Sequence, residues 1–408
     1  MGKDETSPER LRGSHMTSRF KSTKAKKRMS LSLQTIRVQH RLKGHSQKGR
    51  KHWDLYRWLL DPFILYDATR LVVVNKGAPG IDETRWEEIK GKEWDFAAQL
   101  RKKLVSGMYH PHAVRRVFIP KRDGKKRPLG IPTLEDRILQ RALALLMEPI
   151  YEQVFLPNSY GFRRGRSGVE CVAVTAKEVY RHRFVLEADI ESFFDNVCHT
   201  KLLGMLRNQI VDPRILRLIS SILKAGFLER TKPWHPTWNG TPQGGPLSPL
   251  LANVYLHYAL DTRFREVNLK QSSLLRFCDD FVIISQSQEE LFRIRHLLDV
   301  WMREVKLKLK ESKTRIVDMR NHKRNRESHF DFLGFRFHLR AFKDNPRRFW
   351  IARQPSEGAR KALRENLKSK LRPTLSPGVI RNQIKSVWNG WAMYFRYPAL
   401  WIKRYGRS

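Results

Sequence analysis

The sequence predicts an α+β fold in which hairpins and strands alternate with packed helices, followed by a basic helical segment at the C-terminal end. Three observations carry this. Short apolar runs rich in Val, Ile, Leu and Phe are bounded by turn signals, as strands are. Longer stretches between them place apolar residues at helical spacing. No glycine-rich dinucleotide fingerprint follows any strand, which argues against a doubly wound sheet.

The elements follow in chain order. From Arg10 to Trp53 there is no acidic residue while Lys and Arg recur, so residues 1–52 are expected to form a flexible basic arm, either a nucleic-acid contact or a solubilising tail. Within it "RGSHM", Arg12 to Met16, resembles a cloning scar, which would put the native start at Met16 and leaves residues 1–15 in question. Order is expected from Trp53, where "WDLYRWLLDPFILYDATRLVVV" has helical spacing and the Gly- and Pro-rich "NKGAPGIDE" follows as a loop. "HAVRRVFIPKRDGKKRPLGIPT" reads as strand, turn, strand around Asp123-Gly124. "LEDRILQRALALLMEPIYEQVF" is a long packed helix, and "RFVLEADIESFFDNV" a strand running into a turn. Helices are expected over "HTKLLGMLRNQI", "PRILRLISSILKAGF" and "QEELFRIRHLLDVWMREV". "NGTPQGGPLSPLLANVYLHYALDTRF" is a glycine-rich loop feeding a helix with Ser248 as N-cap and Pro249 at N1. After about residue 356 the pattern turns helical and basic.

Composition narrows the partners. Lys plus Arg number 80 against 40 Asp plus Glu, a net charge of +40 that exceeds what solubility needs and points to a polyanion. No apolar run of about 18 residues exists, so nucleic acid is preferred to a membrane. Cys171, Cys198 and Cys278 are far apart and odd in number, which suggests neither a disulfide framework nor a zinc site and fits a reducing compartment.

The strongest local anomaly is "LLRFCDDFVIIS", Leu274 to Ser285, which sets Asp279 and Asp280 between apolar strand-formers. Unpaired carboxylates there lose hydration and repel each other. A bound divalent cation reverses that sign, and at a hairpin tip both carboxylates can lean toward it. A third carboxylate is available in "LEADIESFF", where Asp189 ends an apolar strand and the Ile190 carbonyl follows. Any one of these aspartates alone is equally a turn residue or a cap. Together they suit two-metal phosphoryl transfer.

"RFCDDFVIIS" resembles the YxDD element of reverse transcriptases, with Phe277 in place of Tyr. "IPKRDGKKRPLGIPT", "SYGFRRGRS", "EADIESFFDNV", "TPQGGPLSPLLANVYL", "FDFLGFRF" and "WNGWAMYF" resemble, in order and spacing, the proteins encoded by group II introns, over about residues 70–398. The resemblance implies a right-hand polymerase fold, with fingers over residues 53–185, a palm with an antiparallel sheet over 186–345 and a helical thumb over 346–408. It assigns two Mg²⁺ ions to Asp189, Ile190, Asp279 and Asp280, and the triphosphate of a dNTP to Lys121 and Arg127, where cations offset phosphate charge. Phe194 stands where the family keeps the aromatic that crowds the sugar 2′ position, although Phe193 or Phe194 can equally pack the core. Gln243 is placed on the incoming nucleotide, and Lys313 near the leaving phosphate unless it is simply solvated. Arg163, Arg164 and Arg166, with Gly244, Gly245, Leu333 and Gly334, would contact template and primer.

The implied activity is RNA-directed DNA synthesis from an RNA template and a DNA or RNA primer, in a bacterial cytoplasm. The sequence ends soon after the thumb motifs and carries no Cys/His cluster of a nuclease, so self-sufficient intron mobility is not expected. A chain of this kind resembles the group II-like and defence-associated reverse transcriptases of bacteria, which copy a dedicated structured RNA. An intron maturase, or a mobile-element enzyme, is the alternative.

Overall fold

The computed structural model describes residues 30–120, 126–229, 233–267, 271–320, 328–342, 344–345, 348–371 and 375–405. The chain divides into two units, Met1–Leu31 and Ser32–Ser408, and every element below belongs to the second.

The N-terminal part is helical: α1 (Leu33–Gln47), α2 (Leu55–Leu59), α3 (Pro62–Asn75), α4 (Trp86–Ile89) and α5 (Glu93–Val105). Here one expectation is corrected, because residues 33–47 are not a flexible arm. The Ser32 side chain caps α1 and also donates to Asp67 at 2.7 Å, while Gln39 donates to the Leu145 carbonyl at 2.8 Å. Val38 and Leu42 are buried, so an apolar stripe within the basic run gives α1 a core to join. Strands β1 (Val114–Pro120) and β2 (Lys126–Ile131) form the expected hairpin, whose Asp123-Gly124 tip lies outside the described residues. Helix α6 (Leu134–Tyr151) is buried along nearly its whole length, and α1 and α3 pack on it.

Next come α7 (Gly168–His182), β3 (Phe184–Asp189), α8 (Phe193–Asn196), α9 (His199–Leu206), α10 (Pro213–Lys224) and the short β4 (Phe227–Leu228). One continuous helical run follows: α11 (Ser248–Leu256), a π-helical turn at His257–Asp261, and α12 (Thr262–Glu266). Strands β5 (Ser272–Phe277) and β6 (Asp280–Ser285), α13 (Gln288–Glu304), a 3₁₀ turn at Glu311–Lys313 and β7 (Arg315–Asp318) complete the central sheet. Its order is β5-β6-β3-β7, antiparallel throughout.

Both faces of this sheet are covered, which is why its strands read as apolar runs instead of alternating. Val185, Val282 and Ile284 share a core with Cys171, Val172 and Val179 of α7, while α13 packs on β3 and β6 from outside that core. The same core extends into a second antiparallel sheet of β8 (His329–Phe332), β9 (Phe335–Ala341) and β10 (Phe349–Pro355), where Phe330 and Phe337 stack at 4.6 Å. Because β10 pairs with β9 through Pro355, the helical C-terminal part begins at Glu357 and not at residue 346: α14 (Glu357–Lys370) and α15 (Pro377–Tyr405).

Candidate active site

The strand register builds the site. Strands β3 and β6 run antiparallel with Asp189 directly opposite Asp280, and β5 and β6 are joined by the two-residue turn Cys278–Asp279. Cys278 has φ of +59°, the left-handed sign that hairpin turns of the primed types need at their first central position. That conformation is disfavoured for a side-chain-bearing residue and costs roughly 1–3 kcal/mol. Burial and the neighbouring charges of Asp279 and Asp189 push the Asp280 carboxyl up to about 7, while the Leu333 N–H donates to it and opposes the shift.

The metal-ligand assignment can be tested against this geometry. Among the described residues no three His, Cys, Asp or Glu side chains converge closely enough to cage a metal as they stand. Asp189 instead faces the Lys313 ammonium at 2.8 Å, with the Lys313 side chain 59% exposed. An exposed pair of this kind is worth less than about 1 kcal/mol and exchanges readily for a stronger cation. Ile190 bridges Leu309, and its neighbours make the bonds to that strand: Glu191 N–H to the Lys308 carbonyl and Lys310 N–H to the Asp189 carbonyl, at 2.9 and 2.8 Å. In such a non-bonded pair the carbonyl of Ile190 is directed to the opposite edge, the side on which β6 lies. Crowded carboxylates and an outward carbonyl are oxygen donors that fit a hard divalent cation.

Other expected site residues sort into three groups. Phe193 is buried against Tyr255, whereas Phe194 is half-buried, and its carbonyl accepts from Thr241 at 2.8 Å in the glycine-rich loop. Gln243 lines a cleft with Arg116, Gly130, Asp195 and Trp238, and its carbonyl accepts from Gly130 of β2 at 2.8 Å. A Cβ on Gly244 would stand 2.6 Å from the Gly130 carbonyl, and one on Gly245 2.3 Å from Gln140 Oε1. These glycines thus bring the loop against the protein's own β2 and α6. Ser248 is not the N-cap: α11 begins at Ser248 itself, and its hydroxyl donates to the Pro242 carbonyl at 2.7 Å, bracing the same loop. Lys121 and the Arg127 side chain lie outside the described residues.

The arginines are corrected in part. The Arg163 side chain is 6% exposed, held by Glu152 and by the carbonyls of Leu156 and Ser159, so it braces the segment instead of facing a template. Arg166 pairs with Glu170 and lies over Tyr160, and Arg164, 53% exposed, pairs with Glu148. Arg163→Met is therefore expected to lower the melting temperature with little change in RNA affinity. Arg164→Met should weaken RNA binding and reduce the salt slope by about 1. Thermal melts and binding titrations at several salt concentrations check both, and an RNA-binding defect confined to Arg163→Met would reverse the assignment.

Leu333 and Gly334 form the two-residue turn between β8 and β9, with φ of +50° and +79°. Leu333 touches Asp280 through its N–H, and its carbonyl accepts from the Tyr394 hydroxyl of α15 at 3.0 Å. Gly334 faces Phe395 and Ala359 instead of the carboxylates. The sequence reading missed Tyr394 and Gly161; only the glycine's place beside "FRRG" hinted at a tight approach. A Cβ on Gly161 would lie 2.5 Å from the Cys278 nitrogen. It also missed Phe162, an aromatic 62% exposed at φ +55°, with its ring 6.4 Å from that of Phe277.

The antiparallel sheet thus sets Asp189 across from Asp280, beside the hairpin turn that carries Asp279. The family model described as reverse transcriptase (RNA-dependent DNA polymerase) matches residues 119–337, more than half of the chain, and the chain belongs to that family. It is similar to the group II intron-encoded protein LtrA of Lactococcus lactis subsp. cremoris, 38% identical over 272 residues, covering 65% of this chain and 44% of that protein. It is also similar to protein YkfC of Escherichia coli K12, 40% identical over 210 residues, 50% of this chain and 55% of that one. A more distant similarity, 24% over 254 residues, covering 62% of this chain and 30% of the relative, is to the mitochondrial nuclear intron maturase 4 of Arabidopsis thaliana. The chain thus spans about half the length of the first two relatives.

Proposed function

We propose that this protein is an RNA-directed DNA polymerase with a right-hand architecture: fingers from the N-terminal helices and the β1–β2 hairpin, a palm from the central sheet, and a thumb from α14 and α15. The observation that carries the reading is the Asp189–Asp280 register beside the Cys278–Asp279 turn, inside the stretch that matches the family. In this reading Asp189, Asp279, Asp280 and the Ile190 carbonyl hold two Mg²⁺ ions. When bound, these supply the positive charge that favours the ionised primer 3′-hydroxyl and steadies the departing pyrophosphate. The chain's own groups do the rest. Lys121 and Arg127 grip the triphosphate, Gln243 bounds the nucleotide, and Lys313 transfers from Asp189 to the leaving phosphate as the nucleotide arrives. Phe194, half-buried and fixed through its carbonyl, stands against a 2′-hydroxyl by steric exclusion. The 3′-oxygen attacks the α-phosphorus, and pyrophosphate leaves.

The test is extension of a primed RNA by the purified chain with Mg²⁺ and dNTPs. Phe194→Ala should raise ribonucleotide use relative to deoxynucleotide use at least tenfold, since the clash it removes is an all-or-none contact worth about 1.4 kcal/mol or more. Unchanged discrimination would sink the gate role.

A second reading, an RNA-splicing cofactor, is favoured by the intron-encoded and maturase names among the relatives. It predicts that intron splicing survives Asp279→Ala with Asp280→Ala, whereas DNA extension does not. No helix among the described residues is long and apolar enough to cross a membrane. We further propose a bacterial cytoplasmic enzyme that copies one dedicated structured RNA in antiviral defence, with a mobile-element enzyme as the alternative. Sequencing the nucleic acid that co-purifies with the native protein should return one dominant RNA and its complementary DNA; a background of cellular RNA would count against a dedicated template.

A further inference from the structure

Arg276 lies one residue before Phe277, in the strand that enters the catalytic turn, and its side chain is fully buried. A lone guanidinium there would be strongly destabilising. It is instead bonded along its whole fork. Nε and one Nη donate to the two oxygens of Asp261 at 2.9 and 2.5 Å, and the other Nη donates to Asn253 Oδ1 at 3.1 Å and to the Cys278 carbonyl at 3.0 Å. The partners are held in turn: Asn158 donates to Asp261 at 3.0 Å, and Asn253 donates to the Gly161 carbonyl at 2.7 Å.

Asn253 and Asp261 come from the single helical run that contains the π-helical turn at His257–Asp261. Eight residues apart on a regular α-helix, two side chains stand about 80° apart around the axis. A π turn absorbs about one extra residue, which leaves them about 20° apart, on one face. The irregularity therefore aligns an amide and a carboxylate on the same guanidinium. A buried ion pair is weak grounds for stability, since apolar residues of similar size serve as well. The bond to the Cys278 carbonyl is something an apolar pair cannot supply.

We propose that Arg276, Asp261 and Asn253 are positioning residues for the reaction: they clamp the Cys278 carbonyl, and so fix where the Asp279 carboxylate points, with the π turn providing the alignment. This rests on the polymerase reading of Asp189, Asp279 and Asp280, but none of the three clamp residues is itself a ligand in that reading.

The test compares the full chain with Asp261→Asn, which keeps shape and removes charge, and with the double variant Arg276→Met, Asp261→Leu, which replaces the pair by apolar residues. Three quantities are measured: melting temperature, Mn²⁺ affinity by calorimetry on the protein alone, and kcat and KM for dNTP on a primed RNA. The expected result is a double variant that melts within a few degrees of the parent, binds Mn²⁺ several-fold more weakly, and loses about 10- to 100-fold in kcat with KM little changed, as a displaced reacting group would. Asp261→Asn should lie between the two. Parent-like Mn²⁺ affinity and kcat in a folded variant would overturn the clamp, and if the double variant does not fold, Asp261→Asn decides on the same readouts. A parent that extends no primer would refute the polymerase reading, and Mn²⁺ affinity would still decide the clamp.

Discussion

Asp280→Asn is expected to abolish DNA extension, with a loss of about 10³-fold or more, while the folded protein melts at or above the parent's temperature. The two effects have one cause. Asp280 faces Asp189 across β3 and β6 and follows Asp279 in the chain, so like charges are crowded into a half-buried site. Like charges directly opposite on a sheet destabilise it, and burial holds this carboxyl up at about 7. Asparagine keeps the shape and an acceptor oxygen, and it relieves the repulsion. It also removes the charge that the proposed reaction uses, and a loss of 10³-fold corresponds to about 4 kcal/mol of barrier. Primer extension and thermal melts on the same preparation check both halves. A variant that still extends primers would remove Asp280 from the mechanism. A sharply lowered melting temperature would show that its charge is satisfied in some other way.

The second large effect is expected at a residue that touches no substrate in the proposed reaction. Gly161→Ala should lower kcat by about tenfold or more, because a displacement of only about 1 Å in reacting groups can cost 10²-fold. The added Cβ would lie 2.5 Å from the Cys278 nitrogen and 3.0 Å from the Phe277 carbonyl carbon, both backbone atoms. The glycine cannot retreat. Its carbonyl accepts from Asn253 at 2.7 Å, and the segment before it runs beside β5, with Tyr160 N–H bonded to the Arg276 carbonyl and Arg276 N–H to the Asn158 carbonyl, each at 2.9 Å. The Cys278–Asp279 turn must move instead. Gly204→Ala on α9 is the control: nothing lies within 4 Å of its added Cβ, so activity should be unchanged and stability equal or slightly higher. Equal activity in both variants would show that the turn tolerates displacement.

The carboxylates were legible in sequence because they violate a local rule. Charges flanked by "LLRF" and "FVIIS" are anomalous at strand period, and the explanation they demand is chemical. The hairpin around residues 277–280 and the long α6 follow equally from nearest-neighbour preferences. Arg163 shows where that reasoning stops. An arginine in a basic, glycine-flanked loop looks like a phosphate contact, and only the position of Glu152 and of two carbonyls turns it inward. The helix α1 was concealed for a related reason: its charged face dominates the composition, while Val38 and Leu42 reveal their purpose only once α6 is beside them.

The sequence by itself determined which residue types are present and how most short segments from Trp53 onward fold: an aspartate pair at a hairpin, a third at a strand end, apolar strands, amphipathic helices and a large positive charge for a polyanion. Tertiary structure alone decided which of them meet. It set Asp189 opposite Asp280, brought Lys313 to Asp189 across 124 residues of chain, placed the Leu333 N–H on Asp280, and aligned Asn253 and Asp261 on the Arg276 guanidinium behind the Cys278–Asp279 turn. The division has a physical origin. Backbone propensity, capping and strand alternation act within a few residues, whereas strand register and buried polar pairing are settled by packing between segments distant in the chain, where many alternatives share the same local pattern.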